Sequence, residues 1–365
     1  MQAFTVRERA LTLTGLAPLA LIGCAVHARP DLAAQNAPSY AVSIPVPPPR
    51  PIPVQRPPEA PAALRANIAM LTQSFDGVVG VSVRSVEQGW KVESNAERRM
   101  PQQSVSKLWV TMAALDLRDQ GKLTLDDAVT IRKEDLTLFH QPVAVLVKED
   151  GYQTTVRELI RRAMTMSDNT CNDRLLRFIG GPQAVRAFIE RKQLGAIRFG
   201  PGERLLQSQT AGLAWRQEYA LGNAFAQARA RLPSDVRQAA FESYVADPID
   251  GASAGAIAGA LAKLKRGELL SPGSTDWLLA TMADSKTGKA RLRGAIPPGW
   301  SFGHKTGTGQ DLLSRTAGFN DVGLLTAPDG RSYAIAVMIG DTRRPVRERQ
   351  ELMQAVAAAV VANHG

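Results

Sequence analysis

PQQSVSKLWVTMAAL, residues 101–115, begins with a proline that cannot continue a helix and runs into an apolar stretch that can. At its entrance stand Ser104 and Lys107, three residues apart and therefore on one helical face. A lysine so placed can hold or relay the proton that a hydroxyl loses when it becomes a nucleophile. The backbone N–H groups of a first helical turn lack intrahelical partners, so that of Ser104 can face an oxygen on which negative charge develops. Alone, the Ser-x-x-Lys spacing is weak, because a helix start with a solvated lysine looks the same.

Two further short motifs follow in order, Ser167-Asp168-Asn169 and Lys305-Thr306-Gly307. The segments around them are of different kinds. Upstream, VVGVSVRSV (78–86) is β-branched and partly alternating, and after the turn signal Gln88-Gly89 the run from Trp90 to Glu93 completes a hairpin. Helical spacing then dominates, over Leu108 to Asp119, Val156 to Met166, Asn172 to Ile179 and Pro182 to Arg191. After Ala290 the pattern returns to strands in GWSFGHKTG, TAGFNDVGLLTA and SYAIAVMIG, with Pro328-Asp329-Gly330 a turn between the last two, and an amphipathic helix from Val346 to Ala362 closes the chain. Strands at both ends and helices between predict an α+β fold: an antiparallel sheet built from the two chain ends, with terminal helices and an inserted all-α lobe.

The three motifs together, in this order, resemble those of the serine β-lactamases and penicillin-binding proteins. The resemblance implies a serine β-lactamase/D,D-peptidase-like fold in which Ser104 is acylated and Lys107 manages its proton. It implies an oxyanion hole made by the N–H groups of Ser104 and Thr308, Ser167 relaying a proton to the leaving nitrogen, and Asn169 binding the substrate amide. Lys305 and Thr306 would bind the substrate carboxylate, Gly307 and Gly309 would let the substrate approach the strand, and Arg315 in LLSRTAG resembles the family arginine that supports carboxylate binding.

From Ser167 onwards the chain resembles class A β-lactamases and places Glu203, in ERLLQ, where that class has its deacylating glutamate. A carboxylate there can take a proton from water. Three departures stand out. Pro201 replaces the arginine usually found two positions before the glutamate, so the salt bridge that pins the loop is expected to be missing. Gln207 replaces an asparagine that helps hold the water. From 208 to 247 the chain is longer than the family loop by roughly thirty residues, in a helix-prone insertion too patterned for a bare linker. The resemblance covers about 70–365 apart from this insertion. The expected activity is β-lactam hydrolysis through a serine acyl-enzyme, without a cofactor. The rivals are a D,D-peptidase acting on peptidoglycan stem peptides and a non-catalytic β-lactam-binding envelope protein.

The first 24 residues read as a signal. Arg7 and Arg9 precede an uncharged stretch to Gly23, and LIGC (21–24) resembles the lipobox of bacterial lipoproteins, which would leave Cys24 as a lipid-bearing first residue. The second cysteine, Cys171, then has no partner for a disulfide and reads as a small buried residue. Residues 25–61 are a linker whose second half carries ten prolines between Pro38 and Pro61. Such a composition favours polyproline II, and those residues reach roughly 70 Å from a membrane at about 3.1 Å each. The catalytic domain is expected over 62–365, with the α/β lobe at about 62–98 and 288–365 and the helical lobe at about 99–287.

The rest narrows by exclusion. The chain is 365 residues long with 44% hydrophobic residues, enough for a large core, and its net charge of +10 comes without basic runs interleaved with aromatics, so nucleic-acid binding has no support. GASAG (251–255) matches a hydrolase pattern, but no strand is expected before Ser253. His27, His140, His304 and His364 lack metal-ligand spacing, so no metal site is indicated; His140 or His304 reads as a site-wall or strand residue. The expected protein is an exported, periplasmic or cell-envelope monomer, lipid-anchored, with a small-molecule β-lactam substrate.

Overall fold

SYAIAVMIG writes its two faces into alternate residues: Ile335, Val337 and Ile339 point one way, Ala334, Ala336 and Met338 the other. In the computed structural model, which describes residues 58–365, this strand is the centre of the fold. The leader, Cys24 and the linker up to residue 57 lie outside the described residues. The sheet has five antiparallel strands in the order Lys91–Ser94, Val78–Ser85, Ser332–Asp341, Phe319–Thr326, Ser301–Thr308. Val337 pairs with Val81 on one side and Asp321 on the other.

Both faces are covered, so nearly the whole central strand is buried. The bulky face packs against the terminal helices Ala62–Ser74 and Val346–Ala362 in a cluster that includes Val81, Met353 and Val356. The small face lets the alanine-rich helix Ala254–Lys265 come close, with Ile257 and Leu261 against Ala334 and Ala336. Full burial of each large side chain contributes roughly 1.5–3 kcal/mol. Ala60, just before the first helix, is already buried in the cluster on the bulky face.

The helix Lys107–Asp119 is buried all round from Lys107 to Asp116 and forms the axis of the helical lobe. Packed on it are Val156–Thr165, Asn169–Phe178, Gly181–Arg191 and Pro272–Ala283. Two of these ends have visible causes. Thr155 caps one helix, and Asp168 caps the next by accepting from the Cys171 N–H at 2.9 Å, which starts that helix three residues before the expected Asn172. Cys171 is fully buried within it, and burial pushes its thiol pKa up.

The insertion is structured. The helix Glu203–Thr210 runs into it, and a single turn Gln217–Ala220 precedes the helices Ala224–Arg231 and Ser234–Ala246. Its apolar residues divide between two small clusters. Tyr219 and Phe225 join Leu138 of the helical lobe, whereas Phe241 and Tyr244 join Leu206 and Ala317 beside the sheet. Contrary to expectation, a three-residue strand, Gly251–Ser253, does lead up to Ser253, paired with Arg99–Pro101. The serine is fully buried and its Oγ accepts from the Ala256 N–H, so it is a helix cap.

Candidate active site

Ser104 lies in the tight turn Gln103–Ser106 that feeds directly into the buried helix. The residue before it, Gln103, has a left-handed backbone, φ +53°, and Ser167 in the second motif has φ +61°. Such conformations cost of order 1–3 kcal/mol and persist only where the surroundings impose them. At Gln103 they do. Its N–H donates to the Asp250 carboxylate at 2.8 Å, and the neighbouring Gln102 side chain bridges the Trp109 indole and the Arg198 carbonyl.

Lys107 is fully buried and its three N–H donors meet three acceptors. Ser104 Oγ is at 2.6 Å, Asn169 Oδ1 at 2.9 Å, and the Glu203 carboxylate forms a direct ion pair. On the opposite wall Lys305, also fully buried, donates to Ser167 Oγ and to the Thr306 carbonyl, both at 2.9 Å. Burial, and after it the charge of Lys107, holds the Lys305 pKa well below that of an ordinary lysine. Asn169 is fixed by donating to the Leu138 carbonyl at 2.9 Å. Ser104, Ser167, Asn169, Gln207, Thr306 and Thr308 thus converge on one cavity of about 540 Å³. His140 lies on its wall, whereas His304 is a buried strand residue bonded to Asp321.

The two glycines after Lys305 have a reason of their own. A Cβ on Gly307 would stand 2.4 Å from the Gln102 carbonyl oxygen, and one on Gly309 only 1.8 Å from that of Ala317. Packing within the chain, rather than an approaching substrate, already demands glycine at both.

Arg315 does not reach the cavity. Its guanidinium is forked onto Asp341, at 2.7 and 3.2 Å, and pairs with Glu242 of the insertion. These bonds hold its pKa above the ordinary arginine value. The arginine that lines the cavity beside Thr308 is Arg291, which no sequence motif marks. Its Nη1 donates to the carbonyls of Gly307 and Asn320 and its Nη2 to Thr308 Oγ1 at 2.6 Å. Burial lowers its pKa to about 10.

The loop before Glu203 is pinned without an arginine at position 201. Asp173 accepts from the Glu203 N–H at 2.9 Å and the Arg204 N–H at 3.2 Å, satisfying two of the free amides at that helix start. Burial first, then the Glu203 charge, raises the Asp173 pKa. Asp173 falls four residues after Asn169, on the same helical face, and that spacing was the available signal. On the far side of Glu203, Gln207 Nε2 is 3.3 Å from its carboxylate and 2.9 Å from Gln103 Oε1. Gln103 in turn donates to the Tyr244 hydroxyl at 2.7 Å, and Tyr244 to Asp250 at 2.9 Å. Through Tyr244 the insertion is bonded to the residue beside the candidate nucleophile.

Comparisons with known proteins agree with this geometry. A family model described as the β-lactamase enzyme family matches residues 63–364. The extended-spectrum β-lactamase PER-1 of Pseudomonas aeruginosa is 28% identical over 295 residues, covering 80% of this chain and 85% of its own length. The β-lactamase VEB-1 of the same organism is 23% identical over 297 residues, covering 80% and 88%. Among solved structures, a β-lactamase from Chitinophaga pinensis matches with a TM-score of 0.68 and 26% identity over 83% of this chain and 99% of its own. On its sheet, its inserted helical lobe and this match over nearly all described residues, the chain belongs to the β-lactamase enzyme family, as a class A serine enzyme.

Proposed function

We propose that the protein opens β-lactam rings through an acyl-enzyme on Ser104 and hydrolyses that ester with water activated by Glu203. The observation that carries this reading is Lys107 held between Ser104 Oγ, at 2.6 Å, and the Glu203 carboxylate. Ser104 Oγ attacks the ring carbonyl carbon and its proton goes to the Lys107–Glu203 pair. The developing oxyanion faces the N–H groups of Ser104 and Thr308. The ring C–N bond then breaks and the nitrogen takes a proton from Ser167, which Lys305 re-supplies across their hydrogen bond. The Lys107–Glu203 pair then releases its extra proton and Lys305 regains one, both through solvent. A water attacks the ester, Glu203 takes its proton, and Ser104 Oγ leaves with a proton from Lys107, which Glu203 replaces. Lys305, Thr306 and Arg291 are suited to the substrate carboxylate, and Asn169 to the side-chain amide.

Neither rival reading is favoured, since sequence and structural relatives alike are named β-lactamases. No helix among the described residues is long and apolar enough to cross a membrane. Export, tethering through a lipid on Cys24 and action as a monomer in the cell envelope complete the proposal; the basic start, the uncharged stretch from Ala10 to Gly23 and LIGC support export and the tether.

The test is to mix the protein with excess chromogenic cephalosporin. Sustained turnover is expected, with Glu203→Gln accumulating acyl-enzyme and losing about 10²–10⁴ in kcat, and Ser104→Ala taking no covalent label. A single stoichiometric burst from the wild type refutes the hydrolytic reading.

A further inference from the structure

The helix Ala224–Arg231 of the insertion contributes to the cavity wall. Phe225 anchors it, edge-on to Phe139 with centroids 5.2 Å apart and to Tyr219 at 5.8 Å. One turn along, on the same face, Arg229 lines the cavity with Gln207, Gln310 and Asp311. Its Nη2 donates to the Asp311 carbonyl at 3.0 Å, which aims the guanidinium without neutralising it, and no carboxylate among the described residues forms an ion pair with it. Beside it is a second arginine, Arg237 on Ser234–Ala246, whose Nε is buried with no hydrogen-bond partner. Burial, and then the Arg237 charge, lowers the Arg229 pKa, with Asp311 opposing. Two neighbouring cations that no carboxylate pairs directly, with Asp311 opposing only in part, are costly where water is partly excluded, and a bound anion relieves that cost.

The cavity has other cations elsewhere, Arg291 touching Thr308 and Lys305 touching Ser167. Arg229 is attached three residues further along the chain, at Asp311, up to roughly 10 Å beyond Thr308 for an extended backbone. The cationic groups are thus held at different points, Arg291 at Thr308, Lys305 at Ser167 and Arg229 at Asp311, and a ligand spanning them would carry two negative charges.

We propose that Arg229, supported by Arg237, is a specificity-determining residue that receives a carboxylate on the side chain of the β-lactam, the ring carboxylate going to Lys305, Thr306 and Arg291. This rests on the β-lactamase reading of the same site. The test compares carboxybenzylpenicillin with benzylpenicillin, which differ by one side-chain carboxylate, using the full-length protein. Arg229→Gln is expected to lower kcat/KM for the carboxylated penicillin about tenfold, through KM, and for the neutral one less than about twofold. Arg229→Lys should keep most of the preference, Arg237→Gln should lose less of it, and added salt should erode it in the wild type but find none left to erode in Arg229→Gln. An equal fall on both penicillins, or no change on either, overturns the proposal. A wild-type protein that opens neither ring overturns the β-lactamase reading and this inference with it.

Discussion

Replacing Tyr244 by phenylalanine removes a single oxygen from the insertion, and two buried residues lose a partner at once. The hydroxyl accepts from Gln103 and donates to Asp250, at 2.7 and 2.9 Å, and all three residues are buried. Its loss leaves one donor and one carboxylate oxygen without partners, at a cost of roughly 2 kcal/mol, or about 3 °C in Tm for a domain of this size. The cost should depend on pH in a definite sense. Burial raises the Asp250 pKa from 3.8 to about 6, while the Tyr244 bond pulls it down. A carboxyl whose pKa is raised by folding contributes stability that is full below 3.8 and is lost as pH rises through about 6. Without Tyr244 the pKa climbs further, so the variant's deficit is largest above about pH 6 and shrinks towards pH 4. Because Gln103 also meets Gln207, and Gln207 meets Glu203, deacylation should slow relative to acylation. Thermal melts from pH 4 to 7.5 and single-turnover acylation and deacylation rates measure both effects. A deficit independent of pH, or a Tm loss with both rates unchanged, refutes the reasoning.

The two arginines should separate cleanly. Arg291→Gln is expected to raise KM about tenfold with kcat changed little, as loss of a charge-assisted carboxylate contact does. Arg315→Gln should leave KM within about twofold and instead cost about 1 kcal/mol in thermal or denaturant unfolding, since its partners are Asp341 and Glu242; a KM effect from Arg315 would reverse these assignments. For the tether, Cys24→Ser should move the protein from the membrane to the soluble fraction and abolish incorporation of labelled fatty acid. Membrane association that survives the change counts against lipidation.

What could be read from the chain were features written into neighbouring residues. Ser104 and Lys107 declare a shared helical face by their spacing, the alternation in SYAIAVMIG declares a strand, and Val346–Ala362 matches its expected span. What escaped depended on partners far away in sequence. Arg315 sits in a local context that invites the carboxylate role, yet its guanidinium is drawn to Glu242 and Asp341, 73 and 26 residues distant. Arg291 belongs to no motif and reaches the cavity only because its short turn docks on Gly307 and Asn320. The two-stranded ribbon Ala128–Ile131 with Tyr152–Thr155 is too short to show by alternation alone. The insertion announced its helices, but its role at Gln103 rests on one hydroxyl meeting a residue 141 positions away.

The side chains beside Glu203 also have a direction. Gln310 Nε2 donates to Gln207 Oε1, Gln207 Nε2 to Gln103 Oε1, Gln103 Nε2 to the Tyr244 hydroxyl, and that hydroxyl to Asp250. Along this row the bonds point one way, towards Asp250, which when ionised can only accept, while Gln207 Nε2 also meets the Glu203 carboxylate and Gln310 Nε2 the Gln207 backbone carbonyl. Turning over one amide would set donor against donor or acceptor against acceptor, so the three glutamines can reverse only together, and an ionised Asp250 forbids even that. Polarity therefore propagates from a carboxylate on one side of the site to an amide on the other. For an evolving enzyme this makes the row heritable as a block: a change at one position is tolerated when its neighbours change with it, and trimming the insertion would require a new donor for Asp250 at the same time.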